Sequence, residues 1–430
     1  MSSPLPDRAL PPGSSAAVPP APILILVPTP VASSYAEGFA KTDGGNLQIL
    51  GLGLARRTIL TALRAGFRRI FLLRSGDANL PGVDSIADWR HLYAALLPGE
   101  ATSLLIAPTT ILAETDWLER LAKTPIEPVA WVAAAGRIVM LSAVALPEAL
   151  VALDAEGGAR DMAAVQRRLT RRFGSPRPLP GGIEPMTVSA PADIRVAERR
   201  LLRALVKDTD GFMARHVERP VSLAISRRLA STVVTPNQMT LISMVIGLAG
   251  APLFLSARAP WQTAGALLFL AHSVLDGCDG ELARLKFQES RWGGVLDFWS
   301  DNVVHIATFA CMAAGWSRAI GHAWPLFLGA TAVLGNAGSA GLVYWRMMRT
   351  KADAGPLYTS VSASPDRGLA RLLDALSRRD FIYLVVALAL FGKANWFLLL
   401  ASLGAPTYFC LLVLLAAREH VTKTRARSRG

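Results

Sequence analysis

Cysteine is scarce in this chain. Cys278, Cys311 and Cys410 are the only three in 430 residues, far apart and at no zinc-binding or redox spacing. That excludes a metal or redox centre built on thiols, and Cys278 reads as a small residue for helix packing. A secretory signal is lacking too. The apolar run Ile23–Val27 is short, Pro28 and Pro30 end it, and one Arg stands against one Asp upstream. It reads as a first strand. Acids are outnumbered, 32 against 45 Lys and Arg, for a net charge of +13. Yet 52% of the residues are hydrophobic, and the mean hydropathy is +0.35 with a pI near 10.3. High apolarity with high basicity fits a membrane protein with basic cytoplasmic edges, not a nucleic-acid binder. Such edges attract anionic headgroups and phosphorylated substrates.

The length allows two domains, and the pattern changes near residue 205. Residues 1–20, rich in Pro, Ser and Ala, read as a disordered tail. Residues 21–205 alternate short apolar runs with helical stretches. Strands are expected at Ile23–Val27, Ile70–Leu73, Ser103–Ala107 and Ile138–Ser142, and a helix at Arg56–Ala65 with Gly66 as its cap. That alternation predicts an α/β domain with a mostly parallel sheet. Residues 206–236 predict a juxtamembrane amphipathic helix, broken at Pro220. Phe212, Val221, Ile225 and Leu229 form its stripe, beside Arg215, Arg219, Arg227 and Arg228. A soluble helix packed on the first domain is the alternative.

Residues 237–418 predict an all-α polytopic membrane domain of six helices, at 238–256, 262–282, 294–316, 324–346, 380–394 and 396–417. The fifth is short. Residues 419–430 are a basic tail. The links after the first, third and fifth spans carry little charge. Those on the other side hold Arg284, Lys286 and Arg291, then Arg346, Arg349, Lys351, Arg367, Arg371, Arg378 and Arg379. The positive-inside rule puts both termini and the first domain in the cytoplasm.

Asp276, Asp279, Asp297 and Asp301 lie at that cytoplasmic side, between apolar stretches. Carboxylates there are costly without a cation. The first pair is three residues apart and the second four, so on helices each pair shares a face. Two such helices side by side would aim four hard oxygen ligands at one point, a site for Mg²⁺ or Mn²⁺.

The full pattern is Asp276-x-x-Asp279-Gly280-x-x-Ala283-Arg284, eight residues, then Gly293-x-x-x-Asp297-x-x-x-Asp301. It resembles the signature of the CDP-alcohol phosphotransferases, with all eight positions filled at the family's spacing. The resemblance implies an integral membrane enzyme that moves a substituted phosphoryl group from a CDP-alcohol to an acceptor hydroxyl and releases CMP. It implies that Asp276, Asp279 and Asp297 hold metal, two ions in all. Asp301 is the implied general base, with a metal contact of its own. Gly280, Ala283 and Gly293 would leave room for the nucleotide, although small residues also serve close helix packing. Arg284 would pair with phosphate or a signature acid. Pro236 and Asn237 read two ways, as a plain helix start after Thr235 and as the family's approach to the cytidine. His272 and His305 share helix faces with the acids, and a hydrogen-bonded role in the bundle competes with a catalytic one.

Residues 51–70, Gly-Leu-Gly-Leu-Ala-Arg-Arg-Thr-Ile-Leu onward, resemble the second element of sugar-phosphate nucleotidyltransferases, and Val188 to Leu202 the closing segment of that Rossmann-like fold. Two departures stand out. Pro-Thr-Pro-Val-Ala-Ser-Ser-Tyr replaces the Gly-rich phosphate loop after the first strand, and Pro108 stands where the family has a metal-binding acid. The domain is therefore expected to be degenerate. Such a domain ahead of the membrane half resembles the inositol-1-phosphate cytidylyltransferase/di-inositol-phosphate-phosphate synthase group, which implies a polyol phosphate acceptor. Arg346, Arg349, Lys351, Arg378 and Arg379 would gather at the acids' mouth and could bind that phosphate, or serve topology alone. CDP-diacylglycerol and soluble CDP-polyols both stay open as donor. The expected partners are donor, acceptor, membrane lipid and a second copy in a homodimer, with no nucleic acid. The alternatives are a bifunctional enzyme with an active first domain, a transporter with an acidic pore, and a scaffold.

Overall fold

The computed structural model describes residues 21–29, 47–73, 83–96, 101–124, 129–132, 138–174, 177–178, 185–206, 210–349 and 381–427. The expected tail at 1–20 lies outside them. The chain divides into two compact units, Met1–Arg199 and Arg200–Gly430.

The first unit is built on a seven-stranded sheet. At its middle, β1 (Ala21–Val27) lies parallel to the strands Arg69–Leu73 and Ala101–Pro108 on either side. Asp84–Ile86 extends the parallel part. Ile138–Ser142 runs antiparallel to its two neighbours, so the sheet is mixed. Because side chains alternate along a strand, β1 serves two cores. Ile23, Ile25 and Val27 pack with Trp89, Leu92, Leu150 and Leu169, while Leu24 and Leu26 pack with Ile59, Phe67, Trp117 and Leu118. Helices therefore cover both faces, which explains why β1 is apolar throughout. The expected strands and first helix are present, the helix as α1 (Leu54–Arg64). Gly66 follows it with φ +93°, a conformation that suits glycine at a helix end.

The loop after β1 is laced to the strand beside it. Thr109 N donates to Val27 O at 3.0 Å and Thr29 N to Thr109 Oγ1 at 3.2 Å. Pro108 is paired in register with Val27.

In the second unit, the π-helical turn Ala214–Glu218 runs directly into α7 (Arg219–Leu229). Pro220 does not break the helix, contrary to expectation. It sits at the start of the α-helical part, and the wider turn before it accommodates its missing N–H and its ring. The face α7 buries is small and polar, Ser222 and Ser226, followed by Ala230. Phe212 and Val221 of the expected stripe are exposed, and Ile225 and Leu229 are half-buried.

Helices occupy all six expected spans: α8 (Pro236–Gly250), α9 (Ala259–Lys286), α10 (Arg291–Ile320), α11 (Trp324–Arg349), and further helices at Phe381–Leu390 and Phe397–Arg427. Among the described residues, four stretches are long and apolar enough to cross a membrane: Pro236–Leu255, Arg291–Ile320, Trp324–Arg346 and Ala394–Arg418. The two remaining helices differ for plain reasons. α9 carries Asp276, Asp279, Glu281, Arg284 and Lys286 in its last third, and Phe381–Leu390 is ten residues long.

Glycine lets α8, α9 and α10 pack closely. A Cβ on Gly250 would meet Gly265 O at 3.1 Å, and one on Gly265 would meet Gly250 O at 3.0 Å. Such contacts between backbones need small residues on both sides.

Candidate metal centre and active site

The spacing of the acids follows from a helical hairpin. α9 ends at Lys286, with Phe287 left-handed at φ 56° and Gln288 N donating back to Ala283 O at 2.9 Å. Ser290 then caps α10, accepting from Gly293 N at 2.9 Å. The chain thus reverses within Phe287–Ser290, and the end of α9 faces the start of α10. Ligand atoms of Asp276, Asp279 and Asp297 come within 4.8 Å of one another. Asp276 is 4% exposed and Asp279 6%. Three close carboxylates, two of them this deeply buried, repel one another unless a cation lies between them. The donors are all hard oxygens, so they fit Mg²⁺ or Mn²⁺.

Asp301 stands outside that group of three. It faces His272 instead, Nε2 to Oδ1 at 3.4 Å. His272 Nδ1 lies 3.0 Å from Ser243 O. A carbonyl can only accept, so Nδ1 carries the hydrogen and Nε2 is the atom turned toward Asp301. His305 points back to its own helix, Nδ1 to Asp301 O at 2.7 Å.

Some contacts were not legible from the signature. Thr240 Oγ1 on α8 donates to Asp279 Oδ2, which ties a third helix to the centre. The signal was present as a small and polar stripe, Thr240, Ser243, Gly247 and Gly250, through an otherwise apolar span. On the far side of α9, Glu281 Oε1 accepts from Arg219 Nη1 at 2.8 Å and from Ser222 Oγ at 2.7 Å. A buried acid two residues from Asp279 gave no sign of its partner 62 positions away.

The other expected site residues fall around the same hairpin. The Arg284 guanidinium lies over Gly280, Nη1 being 3.6 Å from where a Cβ would stand. Asn237 Oδ1 and Ser290 Oγ each lie 3.0 Å from the corresponding point on Gly293. Asn237 is therefore beside a signature glycine. Thr235 and Gln238 form a capping box at the start of α8, with Pro236 at its first turn, so the structural reading of that segment holds as well. Ala283 is half-buried. Arg346 ends the described side chains of α11. The side chain of Arg349, and Lys351, Arg378 and Arg379, lie outside the described residues.

Carboxylates thus converge from two helices of an apolar bundle, in an arrangement that could hold a divalent cation. Residues 233–417 match the family described as CDP-alcohol phosphatidyltransferase. The "Bifunctional IPC transferase and DIPP synthase" of Thermococcus kodakarensis is 39% identical over 127 residues, 29% of this chain and 28% of that protein. Its namesake from Archaeoglobus fulgidus is 40% identical over 129 residues, 30% of this chain and 25% of that protein. The matched part spans about a quarter to a third of the curated relatives' length. Among solved structures, the phosphatidylinositol phosphate synthase of Mycobacterium tuberculosis with CDP-DAG bound is similar. It has 19% identity, covers 45% of this chain and 94% of that one, and has a TM-score of 0.32.

Proposed function

We propose that this protein is an integral membrane CDP-alcohol phosphotransferase. It transfers a substituted phosphoryl group from a CDP-alcohol to an acceptor hydroxyl and releases CMP. The observation that carries this reading is the convergence of Asp276, Asp279 and Asp297 within 4.8 Å at a helical hairpin. These three residues would hold Mg²⁺ or Mn²⁺. When bound, the cations neutralise the donor's pyrophosphate and the leaving CMP.

The chain's own groups supply the rest. Asp301, outside the trio and with its Oδ1 3.4 Å from His272 Nε2, is placed to take the acceptor's proton. Gly280 leaves its backbone open beside the Arg284 cation, while Gly293 lets Asn237 and Ser290 approach to 3.0 Å of where a Cβ would stand. All six helices cross the membrane in this reading, and the Lys and Arg of the connecting segments place the site and both termini in the cytoplasm. The acceptor carries a phosphate, met by Arg346, Arg349, Lys351, Arg378 and Arg379. The resemblance to the inositol-1-phosphate cytidylyltransferase/di-inositol-phosphate-phosphate synthase group supports a polyol phosphate in that role. The first unit is a degenerate nucleotidyltransferase-like domain, supported by Pro108 in the sheet where an acid is needed. The protein acts as a homodimer.

Purified full-length protein should release CMP from CDP-diacylglycerol or a soluble CDP-polyol when an acceptor from a panel of polyols and polyol phosphates is added. Excess EDTA should stop the reaction. CMP release that persists undiminished in EDTA overturns the metal reading. No CMP from any donor, by a protein that binds Mn²⁺, overturns the reaction class.

A further inference from the structure

The turn of α9 that carries the acids is a poor helix by itself. Asp276 and Asp279 are like charges three residues apart, a destabilising pair. Gly277 and Gly280 are the residues least suited to a helix interior after proline. The same turn has to hold two ligands in fixed geometry, which preorganisation of a metal site requires.

The π-helical turn and α7 brace it from the opposite side. Glu218 Oε2 lies 3.5 Å from Ser273 Oγ, three residues before Asp276, and Glu218 Oε1 accepts from Tyr383 OH at 3.3 Å. Arg219 binds Glu281 Oε1, two residues after Asp279, and both oxygens of Asp210, Nε at 2.9 Å and Nη2 at 3.1 Å. Ser222 Oγ donates to the same Glu281 oxygen, and Ser222 O accepts from Cys278 Sγ at 3.5 Å. A Cβ on Gly277 would stand 3.6 Å from Arg219 Nη1. The braces reach α9 at positions 273, 278 and 281, about 12 Å from first to last at the helical rise, and both acids lie between them. On a helix, Gly277, Cys278 and Glu281 occupy the side away from Asp276 and Asp279. One side of α9 thus faces the cation and the other is bolted down. Glu218 at the end of the π turn and Arg219 at the start of α7 thus reach α9 at two separate partners, Ser273 and Glu281.

We infer that Arg219 and Ser222 are positioning residues: through Glu281 they hold the turn Asp276–Asp279 in its ligating conformation, so that α7 sets the protein's affinity for its divalent cation. This rests on the proposed metal centre.

The sign of the effect separates bracing from simple charge. Removing a cation near the acids would by Coulomb's law tighten cation binding. Loss of the brace weakens it. Mn²⁺ binding to the full-length protein in detergent is to be measured by the electron paramagnetic resonance of free Mn²⁺, with hydrogen exchange of the 273–284 amides in metal-free protein. Arg219→Gln should weaken Mn²⁺ binding about tenfold and speed that exchange, and Ser222→Ala should do both to a smaller degree, about threefold. Arg219→Lys should fall between wild type and Arg219→Gln, since an ammonium cannot hold both acids in a fork. Unchanged or tighter Mn²⁺ binding in Arg219→Gln, with unchanged exchange, overturns the inference. If Arg219→Gln does not fold, Ser222→Ala decides in the same terms. A wild type that binds no Mn²⁺ would sink the metal centre instead, and the exchange measurement would still test the brace.

Discussion

At the scale of single residues, the geometry sets one signature acid apart from the other three. Asp276, Asp279 and Asp297 converge, while Asp301 turns to His272. Asp301→Asn should therefore abolish turnover and leave Mn²⁺ binding within about threefold of wild type, by kinetics and direct titration. Near wild-type activity in that variant would show that Asp301 is not the base. Thr240 makes the second prediction. Its hydroxyl donates to a buried carboxylate oxygen, and such a charge-assisted bond contributes about 2 kcal/mol. Thr240→Val should thus weaken Mn²⁺ binding by about tenfold or more. An unchanged Mn²⁺ titration would show that Asp279 keeps its place without it. Acid spacing was legible because i, i+3 and i, i+4 positions share a helix face whatever the surroundings. Thr240 was not, because its partner lies on another helix.

At the scale of elements, close approach is the recurrent device. A Cβ on Gly335 of α11 would stand 2.5 Å from Pro406 N and 2.6 Å from Ala405 C on the helix Phe397–Arg427. Both contacts are backbone, so neither can swing aside. Gly335→Ala should push these helices apart and destabilise the protein by about 2 kcal/mol, read as a lower unfolding temperature in detergent. Gly404→Ala is the matched control, since nothing lies within 4 Å of a Cβ there. In the first unit, Gly66→Ala should cost about 1 kcal/mol through its positive φ alone. The strands and α1 were legible from their apolar periods. The antiparallel Ile138–Ser142 was not, because direction in a sheet is set by the connections and not by side-chain pattern.

At the scale of the whole molecule, two units sit on one chain, and among the described residues the group of three carboxylates lies in the second. In the first unit, Thr109 and Pro108 lace the ends of two central strands. Against the nucleotidyltransferases it resembles, the first unit is proposed to lack the phosphate-cradling loop and the metal-binding acid. The full-length protein should release no pyrophosphate from CTP with any sugar or polyol phosphate, under conditions where it releases CMP from a CDP-alcohol. Pyrophosphate release above background would make the first unit an active cytidylyltransferase. In the second unit, α7 presents Val221 outward and Ser222 and Ser226 inward, and Phe212, ahead of the π-helical turn, is exposed as well. An amphipathic stripe in sequence shows which residues are alike, not which way they face.

The sequence alone determined the eight signature positions, whose resemblance to a known family suggests the proposed reaction class, and with them the helical spans and the α/β pattern of the first unit. These are local properties: spacing along a helix, length of an apolar run, alternation along a strand. The tertiary structure alone decided that three acids meet while the fourth turns to His272. It also decided that Thr240 joins from α8 and that Arg219 reaches Glu281 across 62 positions. Each of those contacts depends on which helix lies beside which. That choice is made by packing of small residues over the whole bundle, and no short stretch of sequence contains it.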